Sequence, residues 1–346
     1  MKQRYVIKSK NMFLCCMIAW LRVIPVTTRD RLLALLVVTV WGLNFVVIDW
    51  GLAGIPGGVP PLLFVALRFC LVSLAAFVVP RPAARWRDLA LVGAFMSVGQ
   101  FGLMYSSLAA GLPPGLASLV LQIQAAFTVV LGVIVLGEHP RRAQLVGVAL
   151  GLAGLGIVAL GRGGAVPLVA LGLCVAAAGC WAAGNIASRR LQGVGGLALT
   201  VWSGLVVPIP LLALSLLLDG PTRVGGAALA LLGSGALPAW LSSLYTAALG
   251  SLLGYGVWNS LLGRHRVAEV APYSLLVPVV GMSAAYLIRG ERPSLLALAG
   301  GVVLVTGVAV TVLPGRAPQP QGGSERESGC GSGPPAAQTA TPHNRI

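Results

Sequence analysis

Two stretches of the chain repeat one pattern: GEHPRRAQLVGVALGLAG at residues 137–154 and GERPSLLALAGGVVLVTG at residues 290–307. Aligned at an offset of 153, they share the Gly-Glu-x-Pro turn, a leucine and two later glycines. Chance accounts for apolar matches in a chain rich in Gly, Leu and Ala, but poorly for the shared turn. The pattern therefore predicts an internal repeat. Further matches, at an offset of 154, join Gly102, Ser106, Leu108, Ala117 and Leu121 to Gly256, Ser260, Leu262, Ala271 and Leu275.

Composition predicts that the chain lies in a membrane. Of its 346 residues 57% are apolar and only 10% are charged, and the mean hydropathy is +0.88. A soluble chain of this length carries far more charge on its surface. The apolar residues come in blocks of about 20, the length of a helix that crosses a bilayer. The short alternating strands of a membrane barrel are missing from the sequence, so the predicted fold is all-α integral membrane.

Ten transmembrane helices can be drawn, each of 18 to 23 residues. They cover residues 32–50, 61–79, 89–108, 115–136, 143–160, 166–187, 197–218, 240–262, 271–288 and 294–313. A further apolar stretch, residues 225–237, is too short to cross and predicts a helix lying in the outer interface. The alternative is that this stretch crosses, which would reverse the last three spans.

Charge position gives the predicted orientation. With a cytoplasmic amino terminus, the inside loops and tails hold 19 basic residues and the outside loops hold four. Positive charge collects on the cytoplasmic side of inner-membrane proteins, so both termini should be cytoplasmic. The net charge of +15 is spread over these loops and tails, so we expect the lipid bilayer and no nucleic acid as partner.

The repeat divides the chain into two predicted five-helix halves, residues 31–162 and 163–314. Because five is odd, the second half enters the membrane upside down, and inverted repeats are typical of secondary transporters. Residues 315–346 predict a disordered cytoplasmic tail from their Gly, Pro, Ser, Gln and Thr content. Residues 1–30 form an amino-terminal tail with two open interpretations: a signal-like segment, or an over-long start with translation beginning near Val26.

The sequence lacks the motifs of several other classes. No GxxxxGK[ST] phosphate loop occurs, which disfavours an ATP-driven pump. The three histidines and all carboxylates lie in predicted loops, tails or helix ends, so no metal cluster or nucleophile–base pair forms within the spans. We therefore expect no cofactor, no metal and no enzymatic activity. No sequence feature specifies an oligomeric state.

Polar side chains inside the spans are costly there and become the candidate substrate-binding residues. They are Trp41, Asn44, Arg68, Gln100, Tyr105, Gln122, Gln124, Asn185, Tyr255 and Asn259. The pairs Trp41 with Asn44 and Trp181 with Asn185 lie in the first helix of each half. Asn44 and Asn185 also fit inter-helix hydrogen bonding, and the tyrosines also fit anchors at the membrane interface. Since Gln122 and Gln124 are two residues apart, at most one is expected to face a cavity.

Arg68 is the one full charge well inside a span, about 10 Å from the outer end of its helix. Three interpretations stay open. Its side chain extends to the outer interface or bonds to backbone carbonyls, it binds an anionic group such as a substrate carboxylate, or it pairs with Asp49.

Several segments resemble the EamA family of the drug/metabolite transporter superfamily, over roughly residues 28–313. They are RLLALLVVTVWGLNFVVI (31–48), LRF (67–69), GLASLVLQIQAAFT (115–128), GNI (184–186) and LLVPVVG (275–281). The resemblance implies ten helices in two inverted repeats around a central cavity, and export of O-acetylserine, cysteine and related compounds. It also favours the over-long start. Asp49 departs from the family pattern, which would place a basic residue there.

The leading hypothesis is thus an inner-membrane exporter of small amino-acid metabolites working by alternating access. One alternative is an exporter of drugs or other metabolites from the same superfamily. Exporters of lipophilic cations generally use a buried carboxylate, and the spans show none. A more remote alternative is a non-transporting membrane scaffold or a membrane enzyme. A scaffold would not need inverted repeats with polar groups converging between them, and an enzyme would need a reactive cluster, which the sequence does not show.

Overall fold

The computed structural model describes residues 27–161, 166–191, 193–265 and 270–312, and every regular element within them is helical. Apart from residues 27–30, the predicted tails 1–30 and 315–346 lie outside this part of the chain. The helices are α1 Thr28–Leu52, α2 Pro61–Phe77, α3 Trp86–Ala109, α4 Pro114–Leu136, α5 Arg142–Gly161, α6 Leu168–Leu191, α7 Gly196–Gly204 continued by Pro208–Leu218, α8 Pro221–Ala230, α9 Leu237–Leu244 continued by Tyr245–Leu253 and Gly254–Arg264, α10 Tyr273–Arg289 and α11 Leu295–Val312.

Most of these helices suit a membrane. Within the described residues, six are long and apolar enough to cross, or seven if the two parts of α7 form one span. Three more, α2, α10 and α11, are apolar but shorter. Every predicted span overlaps one of these helices.

Two sequence predictions need adjustment. The seventh span bends by 44° between its two parts. Pro208 starts the second part and has no N–H to continue the helical ladder across the break. The short helix predicted over residues 225–237 begins earlier, as α8, because Pro221 fits the first turn of a helix.

The repeated turn has the same backbone geometry in both copies. Gly137 ends α4 and Gly290 ends α10, with φ of 66° and 67°. Each glycine amide donates to the carbonyl four residues earlier, at 3.1 and 3.2 Å. The amides of Glu138 and Glu291 each donate to the carbonyl six residues earlier, at 3.2 Å. These bonds form the helix-ending motif that needs a left-handed residue, which explains the glycine in both copies.

A second likeness between the halves involves π-helical segments. α3 contains one at Ala94–Gly99, and α9 contains one at Tyr245–Leu253. At the sequence offset of 154, the first segment coincides with the last six residues of the second. Ser97 and Ser251 then take equivalent places. Such local widening of an α-helix is common at functional sites.

Glycines bring α5 and α11 into backbone contact. A β-carbon on Gly300 would lie 2.6 Å from the Val158 amide nitrogen, and one on Gly154 would collide with the Leu304 backbone. Gly307 likewise faces the backbone of Gly151. These glycines therefore let the two helix backbones approach closely.

Charged groups hold the helices together at the two ends of the bundle. We call these the Asp30 end and the Asp49 end, after the residues at the two ends of α1. At the Asp30 end, Asp30 contacts Arg264 at 3.0 Å and His265 at 2.8 Å. Glu138 pairs with Arg189 at the same end.

At the Asp49 end, Asp49 pairs with Arg289 of α10 at 2.7 Å. The Gly115 amide at the start of α4 donates to Glu291 Oε2 at 3.1 Å. The first contact joins α10 to α1, and the second joins the turn after α10 to α4. Glycine and serine pack in the same region, where the Ser242 hydroxyl donates to the Val47 carbonyl at 2.7 Å.

Candidate transport cavity

A cavity of about 500 Å³ lies inside the bundle and is lined by residues from both halves of the chain. Its polar lining residues are Asn44, Arg68, Ser97, Gln100, Ser118, Gln122, Gln124, Asn185, Ser188, Thr200, Ser203, Ser251, Tyr255 and Ser274. The lining reaches Ser188 and Gly196, where α6 ends and α7 begins, so the cavity extends toward the Asp30 end. The contacts at the Asp49 end lie beyond its other limit.

Arg68 supplies the one charge among the described residues that line the cavity. Arg68 belongs to α2 and is buried, with 1% exposure. One guanidinium nitrogen, Nη1, donates to the Tyr105 hydroxyl at 3.2 Å, and Nη2 donates to the Ser251 hydroxyl at 2.8 Å. The Phe101 ring lies 4.1 Å from the guanidinium carbon, within the range of cation–π attraction. The group is therefore held in place by neutral partners.

Two interpretations of Arg68 were wrong. The side chain does not extend to the outer interface, because the lining of the cavity and the Phe101 ring enclose it. It does not pair with Asp49, because that carboxylate binds Arg289 at 2.7 Å. The ion pairs formed among the described residues do not include Arg68.

Two amide side chains present carbonyl oxygens without partners. Asn44 is 8% exposed and Gln100 is 2% exposed, and both line the cavity. Neither Asn44 Oδ1 nor Gln100 Oε1 accepts a hydrogen bond from the described residues. Buried amide oxygens normally have a partner, so these two are enclosed acceptors whose hydrogen-bonding capacity is unmet among the described residues.

Aromatic rings form one wall of the cavity. The Trp41 ring centroid lies 5.5 Å from that of Tyr255 and 5.3 Å from that of Trp258. The Trp41 indole N–H donates to the Gly250 carbonyl at 3.0 Å, which joins α1 to α9. Trp181 also lines the cavity, so the Trp–Asn pairs of both halves reach it.

Gln122 and Gln124 both line the cavity, so the expectation that at most one would face it was wrong. The cause is local geometry, since Leu121–Ile123 form a 3₁₀ turn within α4. In a regular α-helix the two side chains would point about 160° apart, whereas three residues per turn brings them to about 120°. Gln122 Nε2 donates to the Ser274 carbonyl at 3.0 Å, across the halves.

Asn185 acts between helices as well as lining the cavity. Its Nδ2 donates to Gln124 Oε1 and to Thr128 Oγ1, each at 3.2 Å. These bonds connect α6 with α4 and fit the inter-helix interpretation. They also leave Asn185 and Gln124 less free to bind a substrate than Asn44 and Gln100.

Two candidates remain, Tyr105 and Asn259. Tyr105 is fully buried behind Arg68 and supports it, so it neither lines the cavity nor anchors at a membrane interface. Asn259 lies in α9, but its side chain is outside the described part of the chain.

The sequence did not single out Ser97, Gly250, Ser251 and Trp258, which all line the cavity. Ser97, Gly250 and Ser251 sit in the π-helical segments, whose position has no clear sequence signature. One available signal was the repeat itself, because the offset of 154 relates Ser97 to Ser251.

No group of three or more His, Cys, Asp or Glu side chains among the described residues could hold a metal ion. A polar cavity inside an apolar helix bundle, lined by residues from both halves of the chain, is typical of multi-pass membrane transporters.

The chain belongs to the EamA-like transporter family, whose model matches it twice, over residues 31–160 and 168–313. A protein of Salmonella typhimurium named "Probable amino-acid metabolite efflux pump" is 41% identical over 82% of this chain and 95% of its own length. The protein of that name in Escherichia coli is 40% identical over the same shares. A "Probable terminal-alkyne amino-acid exporter" of Streptantibioticus cattleyicolor is 32% identical over 78% of this chain and 91% of its own.

The fold also resembles a solved crystal structure, with a TM-score of 0.54 and 22% sequence identity. That match covers 82% of this chain and 96% of the other. At this identity the likeness supports the fold alone.

Proposed function

We propose that this chain is a secondary transporter that exports small amino-acid metabolites from the cytoplasm, with O-acetylserine and cysteine among its cargo. One observation carries the proposal: a buried arginine lines the cavity and has no carboxylate partner among the described residues. A buried cation of this kind favours a ligand that brings its own negative charge. The carboxylate of an amino-acid metabolite provides that charge, and the names of the relatives point the same way.

The proposed architecture is ten transmembrane helices in two inverted repeats, residues 31–162 and 163–314, in the cell inner membrane. The matching turns after α4 and α10 and the paired π-helical segments support the repeat. α8 would lie in the outer interface. The excess of basic residues at the Asp30 end supports cytoplasmic termini.

The proposed mechanism is alternating access. With the Asp30 end cytoplasmic, the cavity extends inward and the contacts around Asp49 and Glu291 close the outer side. Rocking of the halves would open those contacts and close the inner side around the same bound molecule.

Export of lipophilic cations receives less support. A cation entering the cavity would meet the positive charge of Arg68, and the described part of the lining contains no Asp or Glu. Two like charges in a low-dielectric cavity repel strongly, so this chemistry favours anionic or zwitterionic cargo.

Efflux from whole cells tests the proposal. Cells expressing the full chain are loaded with labelled O-acetylserine or cysteine, and release is compared with an empty-vector control. We expect faster release from the wild type, release near the control for Arg68→Ala, and wild-type release for Arg223→Ala, a surface arginine of α8. Equal release from wild-type and empty-vector cells, with the protein present in the membrane, would contradict the assigned cargo.

A further inference from the structure

We infer that the cavity contains a subsite for the ammonium group of an amino acid, formed by Asn44 Oδ1 and Gln100 Oε1 beside Arg68. This inference rests on the proposed function and deepens it, because it states which two groups of the cargo are recognised and by which atoms. Arg68 would take the carboxylate, and the two amide oxygens would take the ammonium.

The acceptors have the right chemistry and no competing partner. An ammonium group has three N–H donors and no acceptor, so it needs oxygens that are free to accept. Asn44 Oδ1 and Gln100 Oε1 are both buried and without a donor among the described residues. Both residues line the same cavity as Arg68. Gln100 directly precedes Phe101, whose ring lies under the guanidinium.

The position of Gly250 sets an upper limit on the distance between Asn44 Oδ1 and Arg68 Nη2. A β-carbon on Gly250 would lie 3.2 Å from Asn44 Oδ1 and 3.8 Å from Arg68 Nη2. Those two atoms are therefore separated by about 7 Å at most. An amino nitrogen and a carboxylate oxygen of one amino acid are about 3 Å apart, and each hydrogen bond adds about 2.8 Å. Added together, these three distances exceed 7 Å. One amino acid can therefore reach both Asn44 Oδ1 and Arg68 Nη2 if the three segments are not collinear.

Gly250 leaves this space open. Its carbonyl accepts a hydrogen bond from the Trp41 indole N–H at 3.0 Å, which fixes the backbone here. A methyl group at this position would lie within 4 Å of both the Asn44 amide oxygen and the Arg68 guanidinium. Gly250 thus sets the room for the charged end of the cargo.

Binding to the purified full chain in detergent tests the subsite. Three tryptophans line the cavity, so titrations can follow tryptophan fluorescence. The probes are two pairs that differ in the free amine: O-acetyl-L-serine with its isomer N-acetyl-L-serine, and L-leucine with N-acetyl-L-leucine. We expect the free-amine member of at least one pair to bind tenfold or more tightly than its N-acetyl partner. Equal or tighter binding of both N-acetyl forms, or no binding by any probe, would overturn the subsite.

Variants locate the effect. Asn44→Leu and Gln100→Leu keep similar volume but remove the acceptor, so each should lower the preference for the free amine severalfold. Gly250→Ala adds only a methyl group and should weaken binding of the free-amine probes by tenfold or more. This variant still tests the subsite if the leucine variants fail to fold. Gly179→Ala is the control, because a β-carbon there meets nothing within 4 Å. An unchanged preference in Gly250→Ala would contradict the inference.

The binding result and the efflux result separate the two claims. Efflux of O-acetylserine together with equal binding of amine and N-acetyl forms would retain the export function and reject the subsite. A clear preference for free amines without efflux of O-acetylserine or cysteine would retain the subsite and reject the assigned cargo.

Discussion

At the level of single residues, Arg68 is proposed to select the molecules that the cavity accepts. Removing a guanidinium from water is expensive, and hydroxyl groups and an aromatic ring offset only part of that cost. Tyr105, Ser251 and Phe101 fix the group while leaving its charge without a counter-ion among the described residues. A carboxylate that enters the cavity then gains a charge-assisted hydrogen bond to a group already in position.

The Tyr105 hydroxyl should matter for affinity although it does not line the cavity. Tyr105→Phe removes the acceptor at 3.2 Å from Arg68 Nη1 and lets the guanidinium move. Hydrogen bonds to charged groups are worth about 1.5–3 kcal/mol, so we expect the apparent KM for export to rise about tenfold or more. Tyr286→Phe, on an exposed tyrosine of α10, should leave KM unchanged. A similar KM in Tyr105→Phe and the wild type would contradict the supporting role.

Glu291 should make stability depend on pH. Burial raises the pKa of its carboxyl above the usual 4.5, and the nearby Asp49 carboxylate adds to this, while the Gly115 N–H and Arg289 act against it. The folded protein therefore holds the proton more tightly than the unfolded chain. Stability from this group is full below pH 4.5 and falls as pH rises through the raised value.

Glu291→Gln removes this titration and keeps an oxygen that can accept from Gly115. Melting of the purified protein in detergent, measured from pH 4.5 to about 7, should show a smaller fall in Tm for the variant than for the wild type. Identical slopes for the two proteins would show that the carboxyl titrates alike in the folded and unfolded states.

Most of the candidate residues chosen from the sequence line the cavity, but the sequence missed other lining residues for reasons of geometry. Arg68, Asn44 and Gln100 stand out as polar groups in apolar spans, and all three reach the cavity. Ser251 and Gly250 are too common in such spans to stand out. Only the π-helical turn of α9 directs them inward. Gln122 and Gln124 both line the cavity because a 3₁₀ turn changes the angle between their side chains. The apolar periodicity of the sequence does not reveal that turn.

At the level of elements, the pairing of α5 with α11 depends on the absence of side chains. Gly154→Ala places a methyl group against the Leu304 backbone, which cannot move aside as a flexible side chain would. Overpacking of this kind costs about 1–3 kcal/mol, so we expect a lower Tm and lower yield. Gly156→Ala, two residues away, meets nothing within 4 Å and should match the wild type. Equal Tm values for both variants would contradict the packing of these two helices.

Helix boundaries were largely predictable because turn chemistry is local. The glycines of the two Gly-Glu-x-Pro turns take the left-handed conformation that ends α4 and α10. The bend in α7 follows from Pro208 but was absent from the prediction, since proline in a membrane helix does not always break it. The π-helical segments depend on tertiary contacts, which the sequence alone does not display.

At the level of the whole molecule, ion pairs lie at both ends of the cavity. Glu138, in the first turn of the repeat, binds Arg189. At the opposite end, Arg289, just before the second turn, binds Asp49. Each pair joins the turn region of one half to the first helix of the other half.

Reversing charge at the Asp49 end should open it. Arg289→Asp sets three carboxylates together, whereas the swap of Asp49→Arg with Arg289→Asp restores a pair. In a background without native cysteines, Ser118→Cys reports access, because Ser118 lines the cavity near this end. Labelling by an impermeant maleimide from outside should be severalfold faster in Arg289→Asp than in its parent, and slower again in the swap. Unchanged labelling would show that the pair does not hold this end closed.

Exchange in proteoliposomes tests the central claim most directly, because no other exporter is present. Purified full-length protein is reconstituted with unlabelled O-acetylserine inside, and uptake of the labelled compound by exchange is measured for the wild type and Arg68→Ala. We predict rapid exchange by the wild type and a loss of at least tenfold in Arg68→Ala, with Arg223→Ala unaffected. Exchange by Arg68→Ala at the wild-type rate, or none by the wild type, would contradict an amino-acid metabolite transporter whose cavity binds its cargo through Arg68.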